Sequence, residues 1–153
     1  SDAKQNNCAQ VLFLDASQEQ RVEEMGGMNI MFVEGGALVT PPLNDTILSG
    51  VIRESVLALA KDMGIPTRNE AYTADQLLTK LRTGKIAEAF ACGTAATITG
   101  IASFKTEDGE SFELTAPGPI SEQLYNKLVA VQYGRADDKY GWRRQVVSAK
   151  SLA

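Results

Sequence analysis

Two apolar runs, Asn29-Ile30-Met31-Phe32-Val33 and Ala37-Leu38-Val39-Thr40, stand on either side of Glu34-Gly35-Gly36, and no other stretch limits the fold so tightly. Runs this short and this apolar read as strands, and glycine supplies the left-handed backbone of a tight hairpin turn. Pro41-Pro42 ends the hairpin, and Leu43 to Ser49 forms a loop into a helix. There Val51, Ile52, Val56, Leu59, Ala60 and Met63 recur at helical spacing, with Gly64 and Pro66 as the stop.

Beyond this frame the chain alternates elements of both kinds. Val11-Leu12-Phe13-Leu14 is brief, wholly apolar and ended by Asp15, which predicts a buried central strand. Thr67 to Thr73 reads as an exposed strand, and Ala74 to Arg82 as a short helix capped by Thr73 and closed by Gly84. Ile86 to Ala91 is a further strand. Thr97 to Lys105 and Glu110 to Leu114 flank an Asp108-Gly109 hairpin turn. Pro119 opens a last helix, Ile120 to Tyr133, marked by Leu124, Leu128 and Val131. Gly134 to Ala153 is a charged, partly ordered tail. Hairpins interleaved with helices predict an α+β (mixed α/β) domain rather than an open doubly wound parallel sheet. The whole of 1–153 is expected to form one domain.

Composition removes several functions. The net charge is −4 with both signs interspersed, so no basic face is available for nucleic acid. No apolar run is long enough to cross a bilayer, and Ser1 to Asn7 is polar rather than signal-like, so a cytoplasmic protein without a membrane partner is expected. Histidine is absent, which removes Ser-His and Cys-His nucleophile pairs and any Cys and His metal constellation. Cys8 and Cys92 are too few for a disulfide framework and read as reduced core or subcore thiols. Chemistry near neutral pH must then come from a cofactor, a perturbed Lys, Cys or carboxylate, or another segment of protein.

Three stretches could carry such chemistry. A helix starting at or just after Gly50 offers unpaired N–H groups and a positive dipole end to a phosphate, although a plain loop-to-helix junction uses the same residues. Cys92-Gly93-Thr94-Ala95-Ala96 is a second small-residue turn. Glu23-Glu24 precedes the glycine pair Gly26-Gly27, where a carboxylate could be held at a fixed point, and where a solvated acidic turn would look alike.

Taken together, Gln10 to Ala16, Val22 to Asn29, Leu38 to Leu43, Leu48 to Ser55, Ala91 to Ala96 and Ile120 to Trp142 closely resemble branched-chain amino acid aminotransferases, in order and spacing. These are pyridoxal-phosphate enzymes of class IV, fold type IV. The resemblance implies their larger, carboxy-terminal domain, a mixed sheet or pseudo-barrel with flanking helices. It implies that Glu24 faces the pyridine nitrogen of pyridoxal phosphate, keeping it protonated, with Glu23 as a bystander. It assigns the cofactor phosphate to the amides of Gly50, Val51 and Ile52 and to Thr94, and the ring contact to Leu48. The amides of Thr94 and Ala95 would meet the substrate carboxylate, and Gly27 and Met28 would line the side-chain pocket. Gln132-Tyr133-Gly134-Arg135 and Gly141-Trp142 favour the branched-chain group over the related D-amino acid aminotransferases and aminodeoxychorismate lyases. A noncatalytic binding or assembly module of the same fold is the remaining alternative.

Two departures matter. Ile52 stands where relatives usually carry Thr, deleting one hydroxyl contact to phosphate, a loss of about 1 kcal/mol. The family's Schiff-base lysine lies upstream of the first matched strand, and Lys4 does not match it. Lys61, Lys80, Lys85, Lys105, Lys127, Lys139 and Lys150 are expected on surfaces or in tails. The expectation is therefore a truncated enzyme without its smaller amino-terminal domain, inactive alone and with no catalytic residue of its own. When complete it would be a homodimer moving the amino group of leucine, isoleucine or valine to 2-oxoglutarate.

Overall fold

A computed structural model describes residues 7–144 and 146. Its centre is β3 (Met28–Glu34), whose six residues from Asn29 to Glu34 pair antiparallel with β6 (Ile86–Gly93) along one edge. The other edge is shared. β2 (Val22–Met25) takes the first residues of β3, and β4 (Ala37–Thr40) takes the last. β1 (Leu12–Leu14) extends the sheet beyond β2, β7 (Thr97–Gly100) extends it beyond β6, and β5 (Thr67–Asn69) pairs parallel with β4. Six strand pairings are thus joined into one mixed sheet of seven strands. The hairpin expected at Glu34-Gly35-Gly36 is present, with both glycines at positive φ (58° and 76°), the backbone a two-residue primed turn demands.

The parallel pair β4 and β5 needs a crossover, and helix α1 (Val51–Asp62) supplies it. α1 and α3 (Pro119–Gln132) cover one face, where Met31, Val33, Leu38, Phe90, Cys92 and Ile98 meet Val56, Leu59, Ala60, Leu124 and Leu128. α2 (Ala74–Arg82) and the small hairpin β8 (Ser103–Lys105) with β9 (Ser111–Glu113) cover the other, where Ile30, Phe32, Val39 and Ala91 meet Tyr72, Leu77, Leu81, Phe104 and Phe112. β3 is apolar at successive positions because both of its faces are buried.

Two expectations change. Val11 to Leu14 is not a buried central strand: among the described residues β1 pairs only with β2, at the sheet's margin, and Phe13 and Leu14 are exposed. The expected strand Thr97 to Lys105 is two strands, β7 in the large sheet and β8 in the small one. Glu23 and Glu24, for which a solvated acidic turn was the alternative, lie in β2. Of the tail, residues 134–144 and 146 are described, while 145 and 147–153, with Lys4 and Lys150, lie outside the described residues.

Candidate functional site

Register decides which side chains converge. Phe13 pairs with Glu24, Glu24 with Asn29, Asn29 with Cys92 and Cys92 with Ile98, so one row crosses β1, β2, β3, β6 and β7 with its side chains on a common face. The Gly26-Gly27 turn and the Thr94-Ala95-Ala96 turn lie at the same end of the sheet as this row.

The loop from β4 into α1 is brought to that end by its own side chains. Asn44 Oδ1 accepts from the amides of Thr46 and Ile47, each at 2.9 Å, and Ile47 is buried. The next residue is then turned outward, and Leu48 is 68% exposed. Its backbone is held at both polar atoms. Leu48 N donates to Glu24 Oε1 at 2.8 Å, and Asn29 Nδ2 donates to Leu48 O at 2.9 Å. Glu23, expected to be a bystander, accepts from the Thr46 hydroxyl.

Gly50 is the N-cap of α1 and sits at φ −73°, ψ 133°, backbone that any residue adopts. Glycine is needed for another reason, since a Cβ there would collide with Asn29 Oδ1. Among the described residues no side chain caps the start of α1. The other two helices differ: Thr73 and Gln76 cap α2 reciprocally, and buried Glu88 on β6 accepts from Ile120 N and Ser121 N, each at 2.9 Å, at the start of α3. The amides of Val51 and Ile52 are accordingly open to an anion. The Val51 side chain is exposed, while Ile52 packs partly onto the α1 and α3 core.

Arg53 fastens this first turn to the sheet. It is 3% exposed, its Nη2 donates to Pro41 O and Asn69 Oδ1 at 3.1 Å each, and its Nη1 pairs with Glu54 at 2.6 Å. Its position three residues after Gly50 was the signal available, but burial of a lone arginine is not written in periodicity.

Met28 and Gly93 lie on the opposite face from Asn29 and Cys92, by alternation along β3 and β6. They touch closely, as a Cβ on Gly93 would stand 3.1 Å from Met28 Cγ. Gly27 has φ 81° and open space about it. Thr94, Ala95 and Ala96 are exposed, and Thr97, which closes their turn, holds φ 55°, a left-handed conformation unusual for a β-branched residue. Cys92, a member of the row, is buried, and burial pushes its thiol up to about 12, against the opposing pull of Arg53.

The tail reaches the same helix start. Tyr140 and Trp142 stack at 4.2 Å and, with Ser49, Gly50, Val51, Glu54, Ser55 and Ala58, line a groove of about 380 Å³. Asp138 holds this strap, accepting from Trp142 N at 2.9 Å and Arg143 N at 2.6 Å, and those amides hold its carboxyl below the usual range. Among the described lysines, Lys61, Lys85, Lys105, Lys127 and Lys139 are exposed as expected. Lys80 differs, being half-buried and bonded to Glu34 at 2.6 Å. Among the described residues no group of His, Cys, Asp and Glu could hold a metal.

The profile of amino-transferase class IV matches residues 1–104. A probable branched-chain-amino-acid aminotransferase of Staphylococcus epidermidis is 41% identical over 138 residues, 90% of this chain and 38% of the relative. The branched-chain-amino-acid aminotransferase of Mycolicibacterium smegmatis is 41% identical over 148 residues, 93% of this chain and 40% of the relative. The chain thus spans about two fifths of the length of the curated relatives it matches. Among solved structures, the branched-chain aminotransferase of Thermobaculum terrenum in its PLP form superposes with TM-score 0.72 at 34% identity, covering 88% of this chain and 41% of that one. The Escherichia coli branched-chain enzyme gives TM-score 0.78 at 28% identity, covering 95% and 45%. Mixed sheet, crossover helix and sequence agree, and the chain belongs to the class IV amino-transferase family.

Proposed function

We propose that this chain is the larger, cofactor-gripping domain of a branched-chain amino acid aminotransferase, which moves the amino group of leucine, isoleucine or valine to 2-oxoglutarate with pyridoxal phosphate as carrier. The complete enzyme would be a cytoplasmic homodimer. The observation that carries the reading is the uncapped start of α1 set beside a carboxylate, Glu24, that is tied to the same loop. A dianionic phosphate suits the open amides of Val51 and Ile52, and the Thr94 turn is available at the same end of the sheet.

When bound, pyridoxal phosphate supplies an electron-withdrawing ring that stabilises negative charge at the substrate Cα. The residues of this chain then have defined tasks. Glu24 Oε1 is occupied by Leu48 N–H, which leaves Oε2 without a partner among the described residues, so Oε2 can accept from the ring nitrogen and hold a proton there. Gly50 to Ile52 fix the phosphate, and exposed Leu48 covers ring carbon. The Thr94 and Ala95 amides receive the substrate carboxylate, and the Gly27 turn, at the same end of the sheet, has open space for its side chain. The cofactor-bearing lysine is supplied from outside this chain, so the chain alone does not turn over.

Titration with pyridoxal phosphate, followed by borohydride reduction and peptide mass analysis, tests this. Weak binding without a site-specific lysine adduct is expected, and a single stoichiometric adduct on one lysine of this chain would overturn the division of labour. Mixing with an amino-terminal half of a close relative that bears the lysine should yield leucine-dependent transamination. Transamination of D-alanine but not L-leucine would rule out the branched-chain assignment.

A further inference from the structure

Asn29 stands between the two halves of the proposed cofactor grip. It is 5% exposed, it pairs across the sheet with Glu24 on one side and Cys92 on the other, and its amide reaches Leu48 O at 2.9 Å. Its Oδ1 fills the space that a Cβ on Gly50 would need. Glu24 takes the N–H of the same residue 48. The peptide groups on either side of Leu48 are therefore fixed by neighbouring side chains of one cross-strand pair, and the helix start follows two residues later. We infer that Asn29 is a positioning residue that sets the spacing between the Glu24 carboxylate and the phosphate-holding amides of Val51 and Ile52, an inference that rests on the function proposed above.

The physical ground is the short connection within the ligand. Pyridoxal phosphate carries its phosphate on a single CH2–O arm of the ring, so the separation of ring nitrogen and phosphate is bounded, and a host that engages both gains only if its own two contact points stay within that range. Nothing else among the described residues ties residue 48 to β3. Without the Asn29 amide, Leu48 O loses its partner, the peptide between residues 48 and 49 is free to turn, and the first amides of α1 move relative to Glu24. A purely structural asparagine would stabilise the loop without altering this spacing.

The two roles separate in one set of measurements on the full 153-residue chain. Trp142 is the only tryptophan and lines the groove at Gly50, so its fluorescence reports ligands at the helix start. Pyridoxal phosphate, pyridoxal and inorganic phosphate are each titrated into the wild type and Asn29→Ala. Positioning predicts that Asn29→Ala weakens pyridoxal phosphate by about threefold to tenfold, the worth of one neutral hydrogen bond, while the two single-contact ligands change by less than about twofold. Thermal midpoints give a readout independent of any ligand. Gly50→Ala should lower the midpoint beside Asn29 and lose most of that effect in the Asn29→Ala background, because the colliding oxygen is gone.

A wild type that prefers pyridoxal phosphate to pyridoxal, with the same preference in Asn29→Ala, overturns the inference and leaves the proposed function standing. A wild type with no such preference overturns both. Additive midpoint changes for Gly50→Ala and Asn29→Ala show that the two groups do not meet, which also overturns the inference.

Discussion

Glu24 and Glu23 are adjacent acids with different employment, and that difference is measurable. Glu24 Oε1 is engaged by a backbone amide that leads to the helix start, whereas Glu23 is engaged by the Thr46 hydroxyl. In enzyme reconstituted with an amino-terminal half, Glu24→Ala should lower kcat by at least a factor of about 100, the usual effect of losing a group that holds a catalytic proton, and Glu23→Ala by less than about threefold. Equal losses would reject the assignment of the ring partner. A second carboxylate, Glu34, lies at the far end of β3 and serves the fold. It accepts from Tyr72, from Lys80 at 2.6 Å and from Arg68 at 3.2 Å. Burial raises its pKa, but Lys80 and Tyr72 outweigh burial and the net shift is downward. A carboxyl whose folded pKa lies below its unfolded value stabilises above that unfolded value, near 4.5, and loses the contribution as pH falls through the folded one. The stability gap between wild type and Glu34→Gln should therefore be full at pH 6 and shrink below about pH 4.5. Parallel denaturation curves from neutral to acid pH would contradict it.

Among the elements, α3 depends on a side chain far away in sequence. Glu88 is buried at 3% exposure, and its two oxygens accept from Ile120 N and Ser121 N. Gly118 has no Cβ because the Glu88 carboxyl occupies that space. Charge-assisted bonds to a helix N-terminus exceed neutral ones, so Glu88→Ala should cost about 2–4 kcal/mol in urea unfolding, with cavity and cap losses combined. A cost under about 0.5 kcal/mol would mean that water replaces the carboxylate. This capping was invisible in the sequence, where Glu88 interrupts an apolar run; the pairing is set by the sheet and not by spacing. The turn at Gly35-Gly36, the stop at Gly64 and the Thr73 cap were legible because each is local chemistry. β2 was not, since Val22-Glu23-Glu24-Met25 has little strand propensity and is held by β1 and β3 on either side. For the same reason Gly50 and the Thr94 turn could be singled out as candidates from local sequence and Glu24 only through the family resemblance, while Asn29 and Arg53, whose contacts depend on which segments meet, could not be singled out at all. β1 misled in the opposite direction, as an apolar run suggests burial and does not guarantee it.

At the scale of the molecule, two of the places where apolar side chains face outward bear on association. One is β1 with its approach, where Val11 is 43%, Phe13 51% and Leu14 37% exposed; the other is the helix start, where Leu48 is 68% and Val51 79% exposed. No charge lies between Val11 and Leu14, and among the described residues β1 is bonded on one side only, which is how an unprotected sheet edge looks. Covering the rest of three half-exposed side chains is worth about 1 kcal/mol each, or about 3 kcal/mol in all. That is less than the 4–15 kcal/mol lost when two molecules become one, so the apolar gain at β1 cannot by itself give a tight dimer. Backbone pairing along three residues and the second apolar region add to it. Association of this chain alone should accordingly be weak, reversible and concentration-dependent, and sedimentation velocity should show the weight-average coefficient rising with loading. Phe13→Lys places a charge on the exposed edge and should shift the rise to higher concentration, whereas Leu48→Ser should leave it there if β1 is the contact. A constant monomer coefficient for the wild type would show that the open edge does not pair, and an effect of Leu48→Ser larger than that of Phe13→Lys would move the contact to the start of α1.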